Sequence, residues 1–357
     1  MLRTLVLAWA LVLLGGPALA ADAVKLEALR ARIASGEIQG VHSVIVVQHG
    51  KTLAEWYFPG EDERYGDKLG RIEFKPETLH DVRSVSKSVV SILFGIAMAD
   101  GDIKGGLDTP VLDFFPEYKD LRTPQRMKIT LRHVLSMTLG VRWDEDSFPY
   151  SDPRNSEIAM DMSPDRLRYV LEQDIVAEPG STFRYSSGGV ELAGAILARA
   201  TKTPLKAYAQ KKLFAPLGIT TWDWTSDDKG VPYAASGLRL TPRDMVKVGR
   251  MMLAGGVWNG RQVVPKAWVE SSTAKHAQVE PDPACGTRYG FYWWEGPGCA
   301  ASPPAPWYAA IGNGGQRIWV VPSRDLVVVS TMGLYNTPSQ RPMSTAVFTG
   351  VLGAVGP

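Results

Sequence analysis

Strand-like sequence stands near both ends of this chain, and helix-like sequence fills the middle. Apolar runs over 43–47 and 53–57 flank the turn His-Gly-Lys and predict a β-hairpin. Three further strand patterns occupy the last quarter of the chain, over 289–294, 317–321 and 326–331. This order favours one antiparallel sheet that is assembled from both ends of the chain and carries helices on its faces.

Several apolar patterns of helical period lie between the two groups of strands. The strongest covers 82–99, where Gly101 predicts the end of the helix. The other helical patterns cover 131–137, 164–172, 188–200, 241–254 and 345–351. The predicted fold class is therefore α/β of the α+β kind, with an antiparallel sheet flanked by helices and an inserted helical subdomain.

We expect a single domain over 21–357 without an interdomain linker. Its sheet subdomain would come from about 37–80 and 230–357, and its helical subdomain from about 81–229. A chain of this length buries a substantial core without needing disulfide bonds for stability.

The first residues predict a cleaved secretory signal. Arg3 is the only charged residue before Asp22, and 5–14 is an unbroken apolar run. Ala18-Leu19-Ala20 then offers the small-x-small pattern that a signal peptidase cleaves. A membrane anchor is the alternative, but ten helical residues rise about 15 Å, roughly half of the hydrocarbon thickness. We expect a signal peptide over 1–20 and a secreted or periplasmic protein without a stable membrane span.

Charge and composition argue against a nucleic-acid-binding protein and against a disordered chain. The chain has 39 Lys and Arg against 37 Asp and Glu, a formal net charge of +2, so no basic excess exists to neutralise nucleic-acid phosphates. With 45% hydrophobic and 21% charged residues, it has a globular rather than a disordered composition.

Cys285 and Cys299 are the only cysteines. An even pair in an exported chain favours one disulfide, and two free thiols are the alternative. No histidine cluster adjoins them, so neither a zinc site nor any other metal site is expected.

Common catalytic motifs are missing from the sequence. It contains no Gly-x-Ser-x-Gly, His-Glu-x-x-His, Walker loop or Gly-x-Gly-x-x-Gly. The five histidines do not cluster, and His133 is interpreted as a structural helix residue, so nothing promotes a Ser-His-Asp triad.

Three Ser-x-x-Lys pairs remain, and their surroundings separate them. Ser226/Lys229 and Ser272/Lys275 lie in polar stretches. Ser84/Lys87, in contrast, opens the most apolar helix. A serine at a helix start meets free N–H groups, and the residue three positions on lies on the same face. Burial would lower the pKa of Lys87 and supply a neutral amine as a base. A capping serine with a snorkelling lysine is the alternative.

Two other segments suggest partners for that pair. Phe183 to Gly189 places Tyr185 and two serines in a turn before a small-residue helix, and a phenol there can relay a proton. Gly312 to Gln316 enters a strand, where glycines admit a ligand and a backbone N–H can complete an oxyanion hole. An ordinary aromatic turn and a plain hairpin are the alternatives.

These three segments, in this order, resemble the serine β-lactamase and penicillin-binding superfamily. Within it, the chain is most similar to the class C-related serine hydrolases, especially the 6-aminohexanoate-dimer hydrolase and esterase branch. The resemblance covers about 37–350 and includes connecting segments; these are 80–88, 129–135, 178–186 and 237–244. It implies a β-lactamase/transpeptidase-like fold.

The resemblance also implies roles. Ser84 would be the acylated nucleophile, Lys87 would help to activate it, and Tyr185 would share the proton transfers. The N–H groups of Ser84 and Gln316 would form the oxyanion hole. No metal and no cofactor is implied.

Two departures from the family pattern concern the substrate. The third position of the Tyr-x-Asn element is Ser187, and the Lys-Thr-Gly element reads Asn313-Gly314-Gly315. We expect these residues to bind substrate, but a neutral Asn313 cannot supply a positive charge to a substrate carboxylate. Arg317 supplies that charge only if it points inward.

The sequence therefore predicts an exported serine hydrolase that cleaves a small-molecule ester or amide through a Ser84 acyl-enzyme. A penicillin-recognising D,D-peptidase or weak β-lactamase is one alternative, and a non-catalytic cell-envelope binding protein of the same fold is another. A carboxylate-pair glycosidase has only the acidic run 144–146 in its favour, and that run is interpreted as a solvated loop.

Overall fold

The computed structural model describes residues 17–280, 282, 284–299 and 301–356. Most of the predicted signal peptide thus lies outside the described residues. Among the residues described, no helix combines the length and apolar character needed to cross a membrane.

In the described part of the chain the strands are β1 (Val41–Gln48), β2 (Lys51–Tyr57), β3 (Gly60–Arg64), β4 (Asp67–Ile72), β5 (His80–Asp81), β6 (Asp223–Trp224), β7 (Leu238–Leu240), β8 (Val257–Trp258), β9 (Arg261–Gln262), β10 (Ala277–Gln278), β11 (Arg288–Tyr289), β12 (Trp294–Gly296), β13 (Trp307–Gly312), β14 (Gln316–Val321) and β15 (Leu326–Met332). The helices there are α1 (Pro17–Ala34), α2 (Val85–Ala99), α3 (Leu131–Leu135), α4 (Ser156–Asp161), α5 (Arg166–Glu172), α6 (Ser187–Thr201), α7 (Leu205–Ala209), α8 (Ala215–Leu217), α9 (Pro242–Leu253), α10 (Lys266–Thr273) and α11 (Gln340–Ala354).

The main sheet joins the two ends of the sequence, as predicted. Its eight strands run in the order β10-β11-β12-β13-β14-β15-β1-β2, and every neighbouring pair is antiparallel. The first strand lies directly beside the last, with Ile45 opposite Val329. The predicted α+β architecture is confirmed.

Both faces of the sheet are covered, which explains the continuous apolar runs of its central strands. Ile45 and Val47 of β1 pack under α2 and α9, whereas Val44 and Val46 pack against α1 and α11. The helices between β5 and β6 join the first of these cores, and every residue of α2 from Val85 to Ala97 is buried.

The aromatic run 289–294 differs from the prediction of one strand. It forms the end of β11, a turn and the start of β12, because Tyr292 adopts a left-handed conformation with φ 61°. The turn is buried against the helices, where Tyr292 accepts a hydrogen bond from Ser88 and donates one to Gly189. Burial of the rings between two layers, rather than strand pairing, accounts for the apolar pattern.

A disulfide joins Cys285 and Cys299 in the structure, with their Cα atoms 5.9 Å apart. It joins the segment before β11 to the segment after β12, and so closes this hairpin near one edge of the sheet.

Candidate active site

A strained turn presents Ser84 at the start of α2. The residue before it, Arg83, has φ 50°, a left-handed conformation that costs of order 1–3 kcal/mol in a side chain of this size. Neighbours hold Arg83 there: its guanidinium pairs with Glu63, lies 3.7 Å from Asp81 and stacks over the ring of Tyr65. The turn therefore has one fixed shape.

Ser84 does not serve as a helix cap. Its hydroxyl makes no capping bond to α2, and its side chain is partly exposed. Its backbone N–H has no hydrogen-bond partner among the residues described. Both groups are thus available to a ligand, which removes the alternative of a capping serine.

Lys87 is only 1% exposed, so it does not snorkel to solvent. Its Nζ lies 3.1 Å from Ser84 Oγ, 3.1 Å from Ser187 Oγ and 3.0 Å from the carbonyl oxygen of Ala235. A buried ammonium needs such partners, because desolvation without them would be too costly. The alternative of a snorkelling lysine is therefore wrong.

The expected lowering of the Lys87 pKa is also wrong. Burial does lower this pKa, but Tyr185 and the carboxylates of Glu157 and Glu145 beside it outweigh burial and raise the pKa above its ordinary value. Lys87 therefore rests as an ammonium at neutral pH, and its neutral form becomes more abundant as the pH rises.

Tyr185 completes the cluster from the other side. Its hydroxyl faces Ser84 and Lys87, and its ring centroid lies 5.0 Å from Lys87 Nζ. Burial raises the pKa of Tyr185, although Lys87 opposes the shift, so the phenol keeps its proton. The next residue, Ser186, caps α6 by accepting a hydrogen bond from Gly189, and this cap holds Tyr185 in place.

The sequence prediction missed Glu145. It lies in the acidic run 144–146, but it is only 4% exposed and contacts Ser187. The interpretation of the run as a solvated loop is wrong at this position. Val141, Trp143 and Glu145 alternate as buried residues with more exposed neighbours, a strand-like period that places Glu145 on the inner face. This alternation is visible in the sequence and was the signal from which the burial of Glu145 could have been predicted.

Further carboxylates surround the cluster. Burial, together with Glu145, raises the pKa of Glu157 to about 8, and burial raises that of Glu191 to about 7. Glu191 accepts a hydrogen bond from the Ala235 N–H, 3.0 Å away. In the parts of the chain described, no group of three or more metal-ligating side chains has an arrangement that would hold a metal ion.

The glycine-rich hairpin meets the serine turn at Gly312. A Cβ at this position would lie 2.2 Å from the Val82 carbonyl oxygen, so only glycine lets β13 approach the turn this closely. Gly312 pairs with Gln316 across the hairpin.

The other residues predicted in this hairpin are engaged elsewhere. Asn313 hydrogen-bonds Asn336, and Gly314 donates to Gln340. Gly315 packs on Met332, and the Gln316 side chain bonds both backbone groups of Met332. The structure thus brings Ser84, Lys87, Tyr185 and Ser187 together, and it places the side chains of Asn313 and Gln316 against the 332–340 segment. Their roles in binding and in the oxyanion hole stay predictions.

The two other Ser-x-x-Lys pairs are not assembled. Ser226 bonds the Trp224 carbonyl and Ser272 bonds the Val269 carbonyl, while Lys229 and Lys275 are exposed. Neither serine bonds its lysine in the described structure, which distinguishes both pairs from Ser84 and Lys87.

A cavity of about 930 Å³ opens beside Tyr185. Its walls are largely aromatic or apolar, and they include Phe183, Trp294, Trp307, Ile311, Trp319 and Phe348. Arg317 also lines it; this side chain is 5% exposed, and Nη1 donates to the carbonyls of Gly312 and Gln316. Among the described residues no carboxylate lies within 4 Å of Arg317, and burial lowers its pKa to about 9.

Comparisons with known proteins agree with the predicted resemblance. The family model for beta-lactamases matches residues 27–347. The 6-aminohexanoate-dimer hydrolase of Paenarthrobacter ureafaciens is 29% identical over 330 residues, which cover 86% of this chain and 77% of that protein. Esterase EstB of Burkholderia gladioli is 27% identical over 222 residues, which cover 59% of this chain and 53% of that protein.

Solved structures show the same fold. EstCE1, a hydrolase with promiscuous acyltransferase activity, has a TM-score of 0.72 and 19% identity, over 93% of this chain and 100% of that one. A putative 6-aminohexanoate-dimer hydrolase from Bacillus anthracis has a TM-score of 0.71 and 18% identity, over 89% of this chain and 80% of that one.

The contact at Gly312 yields a prediction. Gly312→Ala should push β13 away from the serine turn and lower the rate of Ser84 labelling by a fluorophosphonate by about 10²-fold, because misplacement of about 1 Å has that effect. Gly353→Ala is the matched control, since a Cβ there meets nothing within 4 Å. Wild-type labelling by Gly312→Ala would show that the approach of β13 does not matter.

Proposed function

The chain belongs to the beta-lactamase family of serine hydrolases, and we propose that it cleaves ester or amide bonds of small molecules through an acyl-enzyme on Ser84. The observation that carries the proposal is the buried Lys87 amine, 3.1 Å from a partly exposed Ser84 hydroxyl that no helix cap occupies. Export is part of the proposal, and the signal-like sequence of residues 1–20 supports it.

Acylation follows from the arrangement of the three side chains. Neutral Lys87 takes the proton of Ser84, whose oxygen forms a bond to the substrate carbonyl carbon. The negative charge that develops on the carbonyl oxygen is met by the Ser84 N–H, with Gln316 N–H as the predicted second donor. Tyr185 passes a proton to the leaving group as its bond to the carbonyl carbon breaks, and Lys87 returns the Ser84 proton to Tyr185. Water then attacks the acyl carbon while Lys87 takes one of its protons, and Lys87 passes that proton to Ser84 as the acid departs.

Two features support the substrate class. Two curated relatives are named a 6-aminohexanoate-dimer hydrolase and an esterase, which fits cleavage of an amide or an ester. The large aromatic cavity beside Tyr185 fits an acyl or leaving group with an apolar body. The assembled serine, lysine and phenol argue against a non-catalytic binding protein.

One observation favours a second candidate, a penicillin-recognising peptidase or weak β-lactamase. These activities need a cation for a substrate carboxylate, and Asn313 is neutral. Arg317 lies in the wall of the Tyr185 cavity, on the face of β14 that also carries Trp319, and has no carboxylate partner among the described residues. It therefore offers a positive charge to a substrate group that reaches this face of the strand.

The nucleophile is tested first. Ser84→Ala should lower kcat/KM for short p-nitrophenyl esters by at least about 10³-fold, because covalent catalysis is lost. Fluorophosphonate labelling followed by peptide mass spectrometry should find the adduct on Ser84. Ser226→Ala, from another Ser-x-x-Lys pair, is the control and should behave as wild type. Full activity of Ser84→Ala would reject the acyl-enzyme on this residue.

The raised pKa of Lys87 gives the reaction a pH dependence. The base is active only without its proton, so labelling of Ser84 should accelerate with pH between about 6 and 9, by at most about tenfold per unit. Ionisation of Glu157, whose pKa is about 8, stabilises the ammonium of Lys87 and should make the rise shallower. A flat profile over this range would mean that Lys87 does not act as the base.

Arg317 gives a test of the second candidate. Arg317→Gln should weaken acylation by benzylpenicillin and by esters with a terminal carboxylate by about tenfold or more, because a charge-assisted hydrogen bond is lost. Turnover of a neutral ester of equal length serves as the control and should change little. Equal effects on both esters would mean that Arg317 does not bind the terminal carboxylate of the substrate.

A further inference from the structure

We propose that Glu145 fixes the direction of the hydrogen bonds around Lys87, so that the neutral amine presents its lone pair to Ser84. This inference rests on the proposed function, in which Lys87 accepts the Ser84 proton. Glu145 would be a positioning residue, because it acts through Ser187 and does not touch the reacting atoms.

The hydroxyl hydrogen of Ser187 points to Glu145. Glu145 accepts from Ser187 twice: Oε1 receives the backbone N–H, and Oε2 receives the hydroxyl, 2.9 Å away. Oε1 also accepts from Trp143 Nε1 at 2.6 Å. Burial raises the pKa of Glu145, whereas Lys87 and the donors of Ser187 and Trp143 oppose this rise and stabilise the carboxylate. A carboxylate only accepts, so in this form the single hydroxyl proton of Ser187 is committed to Glu145.

Two of the three oxygens around Lys87 Nζ are able only to accept hydrogen bonds from it. The Ala235 carbonyl only accepts, and the Ser187 oxygen, with its own proton committed, also accepts from the amine. A neutral amine has two N–H bonds and one lone pair, so both N–H bonds are used. The lone pair is left for the third partner, Ser84 Oγ, 3.1 Å away.

Without the carboxylate, the direction of this network would be open. A serine hydroxyl rotates freely, so Ser187 would be able to donate to the Lys87 lone pair. The amine would then point an N–H bond at Ser84 and would be unable to take its proton. Glu145 thus selects one of two hydrogen-bond directions that the heavy atoms alone permit.

The carboxylate is itself held in place. Asn155 donates to the Glu145 carbonyl at 3.3 Å and to that of Phe148 at 2.8 Å, which fixes the loop. The titratable groups that interact with the charge of Glu145 or Lys87 are Tyr150, Glu157, Asp161, Tyr185 and Tyr289. If the carboxylate turned away from the Ser187 hydroxyl, it would also lose the hydrogen bonds that Oε1 accepts from Trp143 Nε1 and from the Ser187 backbone N–H.

Glu145→Gln tests the inference with almost the same shape. The two N–H donors at Oε1 require the amide oxygen there, which places the amide NH₂ against Ser187 Oγ. Ser187 then accepts from the amide and donates to Lys87, so the direction is reversed. The maximal rate of fluorophosphonate labelling should fall about 10–100-fold, up to the lower end of the roughly 10²–10⁴-fold that base catalysis contributes, because part of the amine population keeps the productive direction.

The same variant should also move the pH profile. Loss of a negative charge near Lys87 makes the ammonium less stable. The acid limb, which is the part of the pH profile where the labelling rate rises with pH, should therefore shift to lower pH while the maximal rate falls. A residue with a purely structural role would not shift the limb. Asp144→Asn is the matched control, because Asp144 accepts from the backbone of its own loop and does not contact Ser187.

Ser187→Ala completes a double-mutant cycle. Once the Ser187 hydroxyl is absent, Glu145→Gln should have little further effect on the maximal rate, whereas additive effects would overturn the inference. If Glu145→Gln fails to fold, judged by circular dichroism, Ser187→Ala alone decides. It should lower the maximal rate at least about tenfold, because one amine N–H loses its acceptor, and a wild-type rate would overturn the inference.

The two proposals fail in different ways. If Ser84→Ala abolishes labelling but Glu145→Gln keeps the wild-type rate and acid limb, the inference about Glu145 is wrong and the acyl-enzyme on Ser84 stands. If Ser84→Ala is still labelled at the wild-type rate, the proposed function itself is wrong.

Discussion

A buried amine with three oxygen partners constrains the architecture around it. The oxygens that surround Lys87 Nζ come from the serine turn, from the start of α6 and from the loop before β7. An isolated ammonium at this depth would lose its charge or destabilise the fold, so these three segments must meet. Glu145 and Glu157 raise the pKa of this amine, and Glu145 and Glu191 accept hydrogen bonds from the Ser187 hydroxyl and the Ala235 N–H, in two of the residues that the amine contacts.

Close backbone approach is the second constraint on the site. Gly312 lets the end of β13 lie against Val82, and the left-handed Arg83 turns the chain sharply into α2. Each feature is tolerable only because neighbouring groups compensate for it, as Glu63 and Tyr65 do for Arg83. Rigidity at this point keeps the hydroxyl of Ser84 at a fixed distance from its amine.

Local spacing predicted much of the molecule. The sheet from both ends of the chain, the helix after Ser84 and the membership of the beta-lactamase family are confirmed, because each was predicted from patterns within short segments of the sequence. The direction of the Lys87 pKa was wrong, since carboxylates 58 and 70 positions further along determine it. Asn313 was predicted to bind substrate because of the glycines that follow it, but its side chain is hydrogen-bonded to Asn336, which is distant in sequence. Glu145 was missed because it stands between two acidic residues, and the run as a whole was interpreted as solvated although Glu145 faces inward.

The pairing of β1 with β15 has a consequence for how the molecule is made. Ile45 meets Val329 only after almost the whole chain has been synthesised, so the sheet has many contacts between residues that are distant in sequence. Chains of this kind fold slowly, because loop-closure entropy is lost before distant contacts compensate for it. Until then β1 has β2 on one side only, and its other edge is an unpaired apolar edge, prone to aggregation and recognisable by a holding chaperone.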